Sequence, residues 1–135
     1  MKWLVRRWHV ACSRDRMTSE AFKFRTRAFA IGVVRVARRL PPTLVCRAIG
    51  AQLIKSGAST AANYRAACRG RSRAEFLAKL GVVEEEADES AFWLDLLVAS
   101  GEDVPVPVLR DLEREAQEIV AMVVSSIRTA RRHGK

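Results

Sequence analysis

The run Glu84-Glu85-Glu86-Ala87-Asp88-Glu89-Ser90 is the densest set of proton-carrying groups in the chain. Paired carboxylates can serve as acid and base when two of them converge on one reacting atom. Helical spacing spreads these instead: Glu85 and Glu89 share an outer face, while Glu84 and Asp88 point to another flank. A di-iron carboxylate bundle needs Glu-x-x-His pairs projecting inward, and the two histidines, His9 and His133, lie near opposite ends. Ser59 or Thr60 as a nucleophile has no base at any predictable spacing. Cys12, Cys46 and Cys68 are odd in number and widely separated, which argues against a disulfide framework and against a zinc site. The carboxylates therefore read as a solvated or interface-forming face. The chain is expected not to be an enzyme, and to need no cofactor and no metal.

Groups that could hold phosphate are more plentiful. The sequence carries 24 Lys and Arg against 15 Asp and Glu, a net charge of +9 over 135 residues. The excess is segregated: residues 1–73 hold 17 basic against 2 acidic side chains, and residues 74–127 hold 3 against 13. A basic half of this kind gives an electrostatic footprint for nucleic acid. The candidates are Arg65, Arg69, Arg71 and Arg73 in one turn, Arg38, Arg39 and Arg47 near another, and Arg128, Arg131 and Arg132 in the tail. The first turn also sets the unpaired N–H groups of a helix start beside its arginines. With no recognised nucleic-acid motif and no base-stacking array, the expectation is RNA or DNA binding without sequence specificity. The alternative is an oligomeric adaptor whose basic surface docks an acidic partner protein.

These side chains are positioned by helices. Ala, Leu, Arg and Glu dominate, and no strand-length alternation occurs, so the fold class is all-α. Thr18 and Ser19 can cap a first helix over roughly 19–40, stopped by Pro41-Pro42; Phe22, Phe29, Val33, Val36 and Leu40 form its core stripe. A second helix is expected over about 43–69, ending at Gly70. Ser72, with Glu75 at the capping-box position, starts a third over about 73–100, ending at Gly101. Phe76, Leu80, Val83, Ala87, Leu94 and Val98 face inward on it. After the Pro-stiffened "EDVPVPV", a fourth runs over about 107–132 with Leu109, Leu112, Ala116, Ile119, Val123 and Ile127 inward. Short connections make neighbours antiparallel, giving an up-down four-helix bundle over 17–135. Residues 1–16 form a basic arm, expected to be frayed or disordered. The arm lacks the unbroken apolar stretch of a signal peptide, and no run approaches the roughly 20 residues that cross a bilayer. The cytoplasm is the expected compartment, with no membrane contact.

"SGASTAANYRAACRGRSRAEF", residues 56–76, joins a glycine- and serine-rich start to a helical end. A phosphate loop would place its glycines between a strand and a helix start, whereas Gly57 lies within the second helix. Glycine there costs roughly 1 kcal/mol against alanine, so a packing role is expected. Ile49, Gln52, Ser56, Thr60, Asn63 and Ala67 fall on one side. They read as a close-packed polar seam, with Gln52, Ser59 and Asn63 able to bond across helices.

Two outer strips complete the reading. Opposite its core stripe the first helix carries Phe24, Arg27, Ile31, Arg35 and Arg38. The third carries Val82, Glu85, Glu86, Glu89, Phe92, Trp93 and Leu96. A helix apolar on two sides is usually buried on two sides. Because one strip is edged with arginine and the other with carboxylate, they suit each other rather than themselves. Unlike surfaces make heterologous contacts, which close into rings or run on as filaments, so homo-oligomerisation is expected.

"FAIGVVRVARRLP" followed by "QLIKSGASTAANYRAACRGRSRAEFLAKLGVVEEEADESAFWLDLL" resembles the bacterial four-helix bundle family named for proteins encoded in intervening sequences of 23S ribosomal RNA genes. In that family a helix bearing Gln-Leu, Ser and "AN" leads through a basic turn into "EF", "KL" and an acidic helix ending in "WL". The match covers roughly residues 21–100 and is specific as a combination. The family is similar to the accessory protein of diversity-generating retroelements. That similarity implies a ring-shaped homopentamer and, for the accessory protein, binding to nucleic acid and a reverse transcriptase. This chain departs from the pattern in its basic arm and in "NYRAA", where an acidic residue often follows "AN".

Overall fold

A computed structural model describes residues 18–133; the arm expected over 1–16 lies outside them. Four helices fill the described chain: α1 (Ser19–Arg38), α2 (Leu44–Ala67), α3 (Arg73–Ala99) and α4 (Val106–His133). Each packs on the next, and α4 returns to α1, which makes an up-down bundle with α1 diagonal to α3. Two turns, 39–43 and 100–105, therefore lie at one end. The 68–72 turn, the start of α1 and the end of α4 share the other.

The helix limits follow from local chemistry. Thr18 Oγ1 accepts the Ala21 N–H at the start of α1, and Thr43 Oγ1 accepts that of Cys46 at the start of α2, each at 3.1 Å. Ser72 Oγ takes the Glu75 N–H at 3.1 Å, while Glu75 reaches back to accept the Arg71 N–H at 2.8 Å. These satisfy donors that a helix start leaves unpaired. After α3, Gly101 takes φ 76, a left-handed backbone that suits glycine.

The core is built from Phe22, Phe29, Val33, Leu53, Tyr64, Phe76, Leu80, Leu94, Leu97, Leu109, Ile119 and Val123, all buried. The stripes expected on α1 and α4 are the ones buried, with Leu40 and Leu112 half-covered at the margin. On α3, Leu97 is buried and Val98 only half so. The inward face of α2 is turned from the expected one: Cys46, Gly50, Leu53, Ser56, Gly57, Thr60, Tyr64 and Ala67 are buried, and Gln52 is exposed.

The polar seam exists through the expected Ser56 and Thr60, both buried, but Gln52, Ser59 and Asn63 do not make its bond across helices. Asn63 Nδ2 donates to the Ser59 carbonyl and to Ser59 Oγ, both at 2.9 Å and both within α2. The bond between helices is instead Ser90 Oγ on α3 to Ser56 Oγ on α2, at 2.8 Å. Gln52 stays exposed and Ser59 and Asn63 only half-buried, because Leu53 and Tyr64 gain more from burial. Gly57 does serve packing: a Cβ there would meet Val33 Cγ1 at 2.9 Å.

Candidate nucleic-acid and self-association surfaces

The ten candidate arginines divide between the two ends. At the end made by the 68–72 turn, Arg65, Arg69 and Arg71 line an open groove of about 350 Å³ together with Lys79 and Glu75, over a floor that includes Ala62 and Ala66. Arg73 is half-buried and committed to structure. Its Nη2 and Nε donate to the Ala130 carbonyl at 2.7 and 3.2 Å, satisfying an acceptor near the C-terminus of α4. That contact seats the last turn of α4, with exposed Arg128, Arg131 and Arg132, beside the start of α3. Arg38, Arg39 and Arg47 are exposed at the opposite end. There Thr43 Oγ1 donates to Glu102 at 3.3 Å, so carboxylate shares that end with the arginines.

The outer strip of α1 forms a second groove, lined by Arg27, Ala30, Ile31, Val34, Arg35 and Arg38. Its walls are almost wholly apolar apart from the arginine heads, and Phe24 stands beside it 72% exposed. On the diagonal helix α3, Glu85, Glu89 and Phe92 are exposed, while Val82, Glu86, Trp93 and Leu96 are half-buried. Phe92 meets Trp93 edge-on with centroids 5.0 Å apart. Trp93 also packs against the core, and its Nε1 is buried with no hydrogen-bond partner, so Phe92 rather than Trp93 is the free apolar group of this strip. Burial raises the Glu86 carboxyl above its ordinary value, helped by Glu89 and Glu85 and opposed by Lys55.

Lys79, Ala30 and Val34 join these surfaces without having been expected there. Their signal was available: Lys79 lies four residues after Glu75, Ala30 three after Arg27, and Val34 three after Ile31. Exposed Leu44, Val45, Val106 and Val108 near the starts of α2 and α4 were also unforeseen. Among the described residues no group of His, Cys, Asp and Glu is arranged to hold a metal ion. No described helix is long and apolar enough to cross a membrane.

Neither a family model nor a curated protein matches the chain. A solved structure does: a protein of unknown function from the S23 ribosomal protein family of Bacteroides thetaiotaomicron. It aligns with TM-score 0.72 and 27% identity over 83% of this chain and 99% of that one. The chain fits the four-helix family of the 23S rRNA intervening-sequence type. The alignment spans nearly the whole of the neighbour, so the likeness is to a complete bundle rather than to a helical hairpin within it.

Proposed function

We propose that this protein is a non-catalytic, cytoplasmic bundle that assembles with copies of itself into a ring and binds RNA or DNA without sequence specificity through arginine-rich surfaces. A pentamer is the ring that the family resemblance implies. The observation that carries the reading is the pairing of unlike outer faces on diagonal helices: an apolar groove rimmed by Arg27, Arg35 and Arg38 on α1, and exposed Phe92 among Glu85 and Glu89 on α3. A face apolar at its centre and charged at its rim is how protein interfaces are built, and opposite rims fix which face meets which. Since α1 and α3 are diagonal, the two faces point away from each other, and copies mate front to back.

Charge exchange tests this. Arg27→Glu with Arg35→Glu in one preparation, and Glu85→Arg with Glu89→Arg in another, should each lower the solution mass. Mixing the two should raise the mass again, to an open or even-numbered species, because every contact between unlike variants is complementary while a closed ring of five cannot alternate them. Two variants that keep the wild-type mass would contradict the interface. An assembly that persists but retains no labelled nucleic acid at low salt would point to an adaptor for an acidic protein.

A further inference from the structure

We infer that the nucleic-acid surface is a single site at one end of the bundle, made by the α2–α3 groove and the last turn of α4, and that it takes the phosphate backbone of a duplex. The inference rests on the nucleic-acid reading above and says where and what that reading binds.

The up-down path brings the end of α2, the start of α3 and the end of α4 together. Arg73 then ties two of them, its guanidinium held on the Ala130 carbonyl. Arg131 and Arg132 follow Ala130 directly, and Arg71 precedes Arg73 by two residues. Arg73 is thus a positioning residue that joins two clusters otherwise far apart in sequence. In the groove, Arg65, Arg69, Arg71 and Lys79 face one carboxylate, Glu75, which already accepts the Arg71 N–H. Ala62 and Ala66 keep the floor shallow, so a sugar-phosphate backbone can come close to α2 and meet the guanidinium forks.

Among the described residues no aromatic side chain lines the groove. The exposed phenylalanines, Phe24 and Phe92, belong to the outer faces of α1 and α3. Proteins that hold unpaired strands rely on aromatic platforms for the bases; a site of arginine forks without such a platform reads only the backbone, which a duplex presents with its bases already stacked. At the opposite end Glu102 shares the surface with Arg38, Arg39 and Arg47, bonded to Thr43 at 3.3 Å, and that end is assigned no phosphate.

The test is fluorescence anisotropy of a short labelled RNA duplex, a DNA duplex and the matching single strands, titrated with the full chain over a salt series. Duplexes should bind more tightly than single strands. Arg69→Ala with Arg71→Ala, and Arg131→Ala with Arg132→Ala, should each weaken duplex binding. Each should flatten the salt dependence by about one unit of slope for every phosphate no longer neutralised. Glu75→Gln, which keeps an acceptor for the Arg71 N–H, should tighten binding, a gain that misfolding cannot mimic. Alanines at Arg39 and Arg47 should change little. Binding that survives both arginine pairs and ignores Glu75→Gln, or that falls with the Arg39 and Arg47 pair instead, overturns the site while leaving nucleic-acid binding intact. Tighter binding of single strands overturns the duplex assignment. Failure of every probe at low salt overturns the inference and the nucleic-acid reading together.

Discussion

Gly57 shows how narrowly α1 and α2 are fitted. A Cβ at this position would lie 2.9 Å from Val33 Cγ1 and 3.1 Å from both Cβ and Cγ2 of the same valine. Valine has one strongly preferred rotamer in a helix and cannot swing aside. Gly57→Ala would gain about 1 kcal/mol of helix propensity against about 1–3 kcal/mol of overpacking. The clash is with a stiff, branched group, so a net loss of about 1 kcal/mol is expected, read as a lower urea midpoint. In a Val33→Ala background the same change should be neutral or stabilising. Tyr64, buried edge-on against Phe22 with centroids 4.6 Å apart, makes a second prediction. Burial pushes its phenol above the ordinary value of 10.0, and Cys68 adds to the shift. The unfolded chain ionises at the ordinary value, so the stability of the neutral buried form is complete below that pH and drains away above it. Tyr64→Phe should cost roughly 1 kcal/mol near neutrality for the lost bond between the hydroxyl and Cys68. The gap to the wild type should narrow in urea melts as pH rises past about 10. The packing role of Gly57 was legible because a mid-helix glycine is costly without one. Tyr64 was not: α2 carries small residues all around it, so its apolar pattern fixes no phase, and the inward face was read through Gln52 and Asn63 instead of Leu53 and Tyr64.

Among the elements, α1 has the weakest hold on its second neighbour. It packs closely on α2, but its packing on α4 is sparse; Gly32 lies against Leu112, and Arg25 supplies the polar tie. That guanidinium donates to Glu115 at 2.5 and 3.0 Å and also reaches Glu118 and the Met122 sulfur. The Glu115 bond holds Arg25 in its charged form. Arg25→Ala should cost roughly 1 kcal/mol, the scale of a half-exposed ion-pair set. Its sharper signature should be local: amide exchange should quicken in the first half of α1 while α2 and α3 stay protected. Uniform acceleration along all helices would show that Arg25 supports the bundle as a whole. The helix limits were legible to within a residue or two because Thr18, Thr43, Ser72, Pro41-Pro42 and Gly101 act locally. Arg25 was not, since its partners stand about ninety positions away in sequence and only the fold places them opposite it.

For the whole molecule, the separation of charge is the property that every functional reading uses. The count of basic and acidic residues along the chain showed the segregation, and helical spacing showed the two outer strips. What the linear sequence concealed was the sorting of arginines. Antiparallel helices carry Arg38, Arg39 and Arg47 to one end and the 65–73 cluster to the other, where Arg73 is spent on the Ala130 carbonyl. Helical spacing likewise puts Trp93 on the outer strip, because a stripe of period 3.6 does not say how far a large ring leans back toward the core. Phe92, 54% exposed, carries the argument in its place: Phe92→Glu should dissociate the assembly while leaving the thermal midpoint of the subunit nearly unchanged. The most direct test needs no variant. Light scattering on nuclease-treated wild-type protein at moderate salt should give a closed species of several copies, five by the family resemblance, that does not grow with concentration. A particle of 15.1 kDa at every concentration would contradict the account.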